Sequence, residues 1–309
     1  MPNATPSSVA AFADTAPAEV ISASAEPRTR LWETLRQDRA FKVAILVLVS
    51  FMLAAILAPA LAPYDPTRLF ELPTPLQPPS ALHWFGTDPT TRDVFSRVLY
   101  GGRISLAIAF LAVSLALGIG TGYGAIAGYA GGLVDTLMMR TIDACLSVPR
   151  ILLLIAVLSL WGELSTLSLV LLIGVTGWFG VARLVRAQVV SLRDRDFVFA
   201  SRALGAAGAR TLVRHVLPHL ASPVLVAATL GIGHVIIVEA GLSFLGYGVP
   251  QPQSSWGSII RDGSESLQTG SGWWLTVFPG LALILTVLAV NVVSDRLRAA
   301  MNPRQLPAS

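Results

Sequence analysis

The chain has 309 residues, of which 53% are hydrophobic and only 13% charged. A water-soluble domain carries roughly 25% charged residues, so an ordinary soluble globule is excluded. The net charge of +4 comes almost wholly from arginines that flank long apolar runs, a pattern that sets membrane topology rather than one that grips nucleic acid. The single cysteine, Cys145, excludes an intrachain disulfide and a cysteine-based metal site.

Residues 1–27 are rich in Ala, Ser, Pro and Thr and lack both the basic start and the apolar stretch of a signal peptide. They read as the disordered first part of a cytoplasmic tail covering 1–40. Arg28, Arg30, Arg36, Arg39 and Lys42 precede the first span, within 41–63, and place the N-terminus inside. Residues 64–102 are proline-rich, carry Asp65, Glu71, Asp88 and Asp93, and read as an external segment ending in an amphipathic piece around Arg92–Tyr100.

The remainder, 103–298, reads as a core of five further spans. The second, near 103–129, carries Gly118, Gly120, Gly122, Gly124 and Gly128; small residues four apart permit close helix approach, with a hinge as the alternative. The third is expected to run unbroken from Leu137 to Trp161, because Ile151–Trp161 alone is too short to cross. That span takes in Arg140, Asp143 and Arg150. An ionisable residue within a span is a functional candidate by default; Asp143 would stand about 10 Å along the helix axis from Arg150, leaving a backbone carbonyl or snorkelling as the other outlets for its charge.

Gly162–Thr166 reads as an external turn carrying Glu163, and the fourth span follows near 167–190. The fifth covers about 220–244, with Glu239 near its outer end, and the sixth about 273–293. Residues 299–309 form a cytoplasmic tail. Sixteen of the 22 basic residues then lie inside, which makes this an all-α, six-span protein with both termini cytoplasmic.

Between the fourth and fifth spans lies RDRDFVFASRALGAAGARTLVRHVLP, residues 193–218. Each of its charges would cost about 2.5–3.5 kcal/mol at the bilayer centre, so the stretch 191–219 belongs in water on the arginine-rich, cytoplasmic side. Asp194 or Asp196 is placed to cap a short helix. Phe197, Ala200 and Leu204 then form one apolar stripe, with Arg195 and Arg202 off it. Gly205 falls where a left-handed residue ends a helix. A second amphipathic turn carries Leu212, Val213, Val216 and Leu217, and Pro218 is expected to redirect the chain. On these grounds alone, the stretch is equally an ordinary solvated loop.

Ala200-Ser201, Gly205 and Leu217-Pro218 resemble the EAA loop of binding-protein-dependent ABC importer permeases. Phe199 and His215 depart from the general pattern and resemble the dipeptide, oligopeptide and nickel subfamily. Further segments resemble that subfamily in order: His83-Trp-Phe-Gly-Thr-Asp88, Arg92-Asp93, Ala127–Gly132, Glu239–Gly246 and Ser255-Trp256-Gly257. Thr91 stands where a glycine is usual. The resemblance implies the type I importer permease fold in a bacterial inner membrane, importing peptides or, alternatively, nickel or another small solute. It implies a heterodimer with a second permease, two cytoplasmic P-loop ATPases that use ATP and Mg, and an external substrate-binding protein. The short helix, with Arg195, Asp196, Phe197, Ala200, Ser201, Arg202, Leu204 and Gly205, would couple to the ATPase. Arg150, Asp143 and Glu239 are candidates for the pathway or its gate, and His83, Asp88, Arg92, Asp93 and Trp256 for binding-protein contact.

The chain itself offers no nucleotide site, since its one lysine, Lys42, follows no glycine-rich loop, and no cofactor or catalytic group is expected. A proton-coupled transporter using Asp143, Arg150, His234 and Glu239 is the reading from another class. A metal held by His215 and His219 is disfavoured by Pro218 between them and by the lack of an accompanying glutamate.

Overall fold

The computed structural model describes residues 35–71, 74–161, 165–268 and 270–301; the expectations for 1–34, Glu163 and the C-terminal tail from 302 lie outside them. Within the described residues the chain is helical, with no strand and one isolated bridge between Thr87 and Asp93. The helices are α1 (Arg39–Ile56), the short α2 (Ala58–Leu61), α3 (Val94–Ala130), α4 (Gly132–Leu146), α5 (Arg150–Trp161), α6 (Thr166–Gly177) and α7 (Phe179–Arg193). They continue with α8 (Asp196–Ala203), α9 (Gly208–Thr211), α10 (Ala221–Phe244), α11 (Trp256–Leu267) and α12 (Trp274–Ala300).

Helix α3 is the axis. Helices α6 and α7 pack along one side of it and α10 along another, while α12 joins α10 to α1 and α11. Three apolar clusters stack down its length. Val94 and Val98 meet Trp256, Ile259, Trp274 and Leu275 at the outer end. Ile108 and Ala112 meet Leu154, Ile173 and Ile236 at mid-height. Ala125 meets Val185, Val189, Val198, Val216 and Leu220 at the inner end. By contrast, α1 touches the rest mainly through Ala44 against Ala289 and Val293, and Val43, Leu46, Met52, Leu53 and Ile56 stay exposed, as a lipid-facing helix requires.

The glycines of α3 divide into two sets. A Cβ at Gly120 would stand 2.7 Å from Val181 Cβ, one at Gly124 would overlap the Ala182 carbonyl, and one at Gly128 would stand 2.9 Å from the Arg186 carbonyl oxygen. Gly118 and Gly122 face nothing within 4 Å. The stripe 120–124–128 therefore serves packing, bringing α3 onto the backbone of α7.

Three expectations are corrected. The second membrane helix starts at Val94, not near 103, because Asp93 caps it through the Ser96 N–H at 2.8 Å; the amphipathic piece is its first two turns. The third span is not one rod: α4 and α5 meet at 71° across Ser147–Pro149. Pro149 has no N–H to continue the ladder and holds Val148 out of helical geometry. Pro218, conversely, does not redirect the chain. A π turn over Leu212–Val216, closed by Leu217 N–H to the Leu212 carbonyl, absorbs the missing donor. The helix then passes through a 3₁₀ turn into α10, giving a rod from Gly208 to Phe244.

Overfilling the α3–α7 contact tests its role. Gly124→Leu should lower stability by about 1–3 kcal/mol, read as a depressed melting temperature of detergent-solubilised protein. Gly122→Leu on the open face should melt like the parent.

Candidate functional site: the short-helix ridge and the polar groups of the spans

Helix α7 ends at Arg193 with Asp194 as its C-cap residue, and Asp196 opens α8. The chain turns back at Gly205, whose φ is +81°, closed by Ala206 N–H to the Ser201 carbonyl at 3.1 Å. Only glycine takes this conformation without about 1–2 kcal/mol of strain, as its position in the sequence implied. Helix α8 is held from one side: Val198 is fully buried in the inner cluster, and the Ser201 hydroxyl lies 3.2 Å from that of buried Thr211. Phe197 stacks on the His219 ring at 5.1 Å.

The opposite side is open. Leu204 is 89% and Phe199 55% exposed, and Arg195 and Ala200 face outward with them. Ala200 and Leu204 of the stripe thus point away from the molecule and Phe199 extends their surface, while Phe197, stacked on His219, lies at its edge. The Arg202 side chain lies outside the described structure. Val198 and Thr211, the two anchors, escaped the sequence reading; the signal was the recurrence of Val198, Val216 and Leu220 as core-sized residues between charged ones. His219 is engaged locally, its Nδ1 lying 2.7 Å from the His215 carbonyl oxygen.

Two ion pairs hold α4 against α7: Arg183 Nη2 donates to Asp143 at 2.5 Å, and Arg186 donates twice to Asp135, at 2.6 and 2.7 Å. Asp143 therefore partners Arg183 rather than approaching Arg150, since the bend turns α4 away. Arg150 instead donates from Nη2 to the Ile173 carbonyl at 2.6 Å and from Nε to Thr176 Oγ1 at 3.3 Å, the backbone outlet that the sequence left open. Glu239 is fully buried and accepts from Ser105 at 3.0 Å and Ser243 at 2.6 Å. Ser255 donates on to Ser243, so this carboxylate ties α3, α10 and the head of α11 together. It faces no open surface, contrary to its candidacy for the pathway.

At the outer end, Asp88 Oδ2 receives Arg92 Nε at 2.7 Å and Arg97 Nη1 at 2.5 Å, while Arg97 Nη2 reaches Asp262 at 2.9 Å and Ser254 at 2.9 Å. His83 Nδ1 lies 2.9 Å from Asp93. Trp256 Nε1 donates to the Val98 carbonyl at 3.0 Å. His83, Asp88, Arg92, Asp93 and Trp256 are thus turned inward, with at most 9% of their surface exposed, which corrects their candidacy as partner contacts. The charges are satisfied by one another because the segment folds over the head of α3. Thr91 keeps the left-handed turn at φ +66°, and its hydroxyl donates to the Phe70 carbonyl at 2.7 Å. In the same segment, the Thr67 hydroxyl and backbone N–H hold the Asp65 carboxyl below the ordinary carboxylate range.

The family model of the binding-protein-dependent transport system inner membrane component matches residues 120–306, and that of the N-terminal TM domain of oligopeptide transport permease C matches 27–79. The chain is 39% identical to a dipeptide transport system permease protein of Alkalihalophilus pseudofirmus, over 90% of each chain. It is 38% identical to an oligopeptide transport system permease protein of Bacillus subtilis, over 87% of each. Its fold matches a chain of the inward-facing MetNI methionine ABC transporter with a TM-score of 0.51 at 19% identity, covering 68% of this chain and 98% of that one.

Family match and close relatives together define the membrane-spanning permease subunit of an ABC importer. The chain belongs to the family of binding-protein-dependent transport system inner membrane components.

The outer network supplies a stability test. Arg97→Leu takes one of two arginines from the buried Asp88 and the nearer arginine from the half-buried Asp262, and should cost about 3–5 kcal/mol. Arg92→Leu, which keeps the Asp88–Arg97 pair, should cost less, and thermal melting of the two variants ranks them.

Proposed function

We propose that this chain forms half of the translocation pore of an ATP-driven peptide importer in a bacterial inner membrane. A second, similar permease supplies the other half. Two P-loop ATPases sit on the cytoplasmic side with ATP and Mg, and a binding protein delivers cargo from outside. The peptide assignment rests on relatives whose names specify dipeptide or oligopeptide transport. The arginine distribution supports cytoplasmic N- and C-termini.

The observation that carries the reading is the half-buried α8. Its inner side is locked into the core by Val198, and its outer side presents Phe199, Ala200 and Leu204 to water, with Phe197 at the edge against His219. An exposed apolar ridge rimmed by charge marks a protein contact, and the resemblance of this loop to the EAA loop makes that contact the ATPase. ATP-driven closure of two ATPases would draw two such ridges together. The force would pass through Val198 to α7 and α10, turning the core from inward- to outward-facing.

Tagged purification of the assembled importer tests this. The parent should bring down a P-loop ATPase and a second permease, whereas Ala200→Glu should lose the ATPase while keeping the permease. Retention of the ATPase by Ala200→Glu would refute α8 as the docking element. Gly205→Val should leave the protein in the membrane but cut uptake at least about tenfold, because 1–2 kcal/mol of strain at the turn misplaces the ridge.

A further inference from the structure

Among the described residues, Arg150 is a cation within the spans that no carboxylate pairs with. It opens α5, which rises about 17 Å from it to the exposed Trp161 at the outer end. The hydrocarbon core is about 30 Å thick, so with Trp161 at its outer boundary the guanidinium falls well inside it. His234 on α10 lies at the same depth, about 15 Å below Phe244. It is exposed on the surface of the chain and within electrostatic reach of Arg150.

The wiring around Arg150 fixes its position without neutralising it. The Ile173 carbonyl and the Thr176 hydroxyl are neutral acceptors. Gly177 leaves room for the guanidinium, since a Cβ there would stand 3.1 Å from Nη2. Among the described residues no carboxylate pairs with Arg150; Asp143 is taken by Arg183, and Glu239 is enclosed by serines. Guanidinium has five N–H donors, of which two are used here, leaving Nη1 free of protein acceptors among the described residues. A full charge beside an exposed imidazole at this depth belongs on a water-filled or protein-lined face, not against lipid. That is the property of a pathway wall.

We propose that Arg150 is an anion-recognition residue of the translocation pathway. It receives a carboxylate of the cargo within the membrane, with His234 lining the same stretch. The identity of that carboxylate as a peptide C-terminus rests on the peptide reading above; the anion preference does not. A guanidinium held by neutral acceptors can offer a bidentate fork to a passing carboxylate and return to Ile173 and Thr176 when the cargo leaves, so recognition need not become trapping.

The test reads the local field directly. In the assembled importer carrying Cys145→Ser, a cysteine replaces His234. Its labelling by a sulfonate-bearing and by a quaternary-ammonium methanethiosulfonate is followed by intact mass of this chain. The proposal expects the anionic reagent to be favoured, and Arg150→Gln to cut the anion-to-cation rate ratio at least about fivefold, with Arg150→Lys restoring it. Gln removes the charge, and Lys keeps the charge without the guanidinium fork, so a merely structural role would not make the ratio follow charge; an unmoved ratio overturns the proposal. So does failure of either reagent to reach residue 234. Should Arg150→Gln not accumulate, Arg150→Met takes its place. The preference in the Arg150 chain must in any case fall as salt rises, and a salt-independent ratio also overturns it. In parallel, uptake of a labelled carboxylate-terminated dipeptide is measured. An intact anion preference with no uptake by the parent importer refutes the peptide reading and leaves the anion site standing.

Discussion

Everything in this chain depends on how closely α3 and α7 approach. Gly120, Gly124 and Gly128 remove the side chains that would hold the two helices apart. Between apolar helices in lipid there is no hydrophobic drive to pack, so close van der Waals contact must supply the association. The contact positions Val185 and Val189, which with Ala125 form the wall that takes up Val198. The short helix α8 is thereby attached to the membrane core through packed side chains rather than through a bare loop.

The second theme is where charge is allowed to rest. Hydrocarbon offers no water to an unsatisfied polar group. At the outer end, Asp88, Arg92, Arg97 and Asp262 neutralise each other beneath the segment that covers α3. At the inner end, Asp135 and Asp143 are matched to Arg186 and Arg183. Glu239 is enclosed by hydroxyls. Arg150, alone of these groups, is given only neutral acceptors, which is what motivates its proposed place in the pathway. Among the described residues, charge is thus paired near the two ends of the bundle, while between them Glu239 and Arg150 rest on neutral partners.

Much of this was legible from residues alone, and the failures have physical causes. Gly205 was readable because a left-handed turn after an apolar stripe demands glycine, and the glycines of α3 because their spacing matches the helix repeat. The break at Ser147–Pro149 was hidden by the apolar run on both sides: hydropathy reports length in lipid, not direction. The inward turn of His83, Asp88, Arg92, Asp93 and Trp256 could not be read from a segment that looks polar throughout. The contacts that fold the segment inward, Arg97 to Ser254 and Asp262 and Trp256 to Val98, join residues more than 150 positions apart. Pro218 misled for the opposite reason, because a widened π turn absorbs a proline that local rules treat as a stop.

The central claim is that the exposed side of α8 is the surface on which ATP-driven motion enters the membrane core. A photo-crosslinking amino acid at Leu204, 89% exposed and facing away from the molecule, tests it in intact membranes. The account predicts one dominant adduct, to a P-loop ATPase, lost when Ala200 is replaced by glutamate. Adducts confined to lipid, or an ATPase adduct that survives the charged substitution, would contradict it.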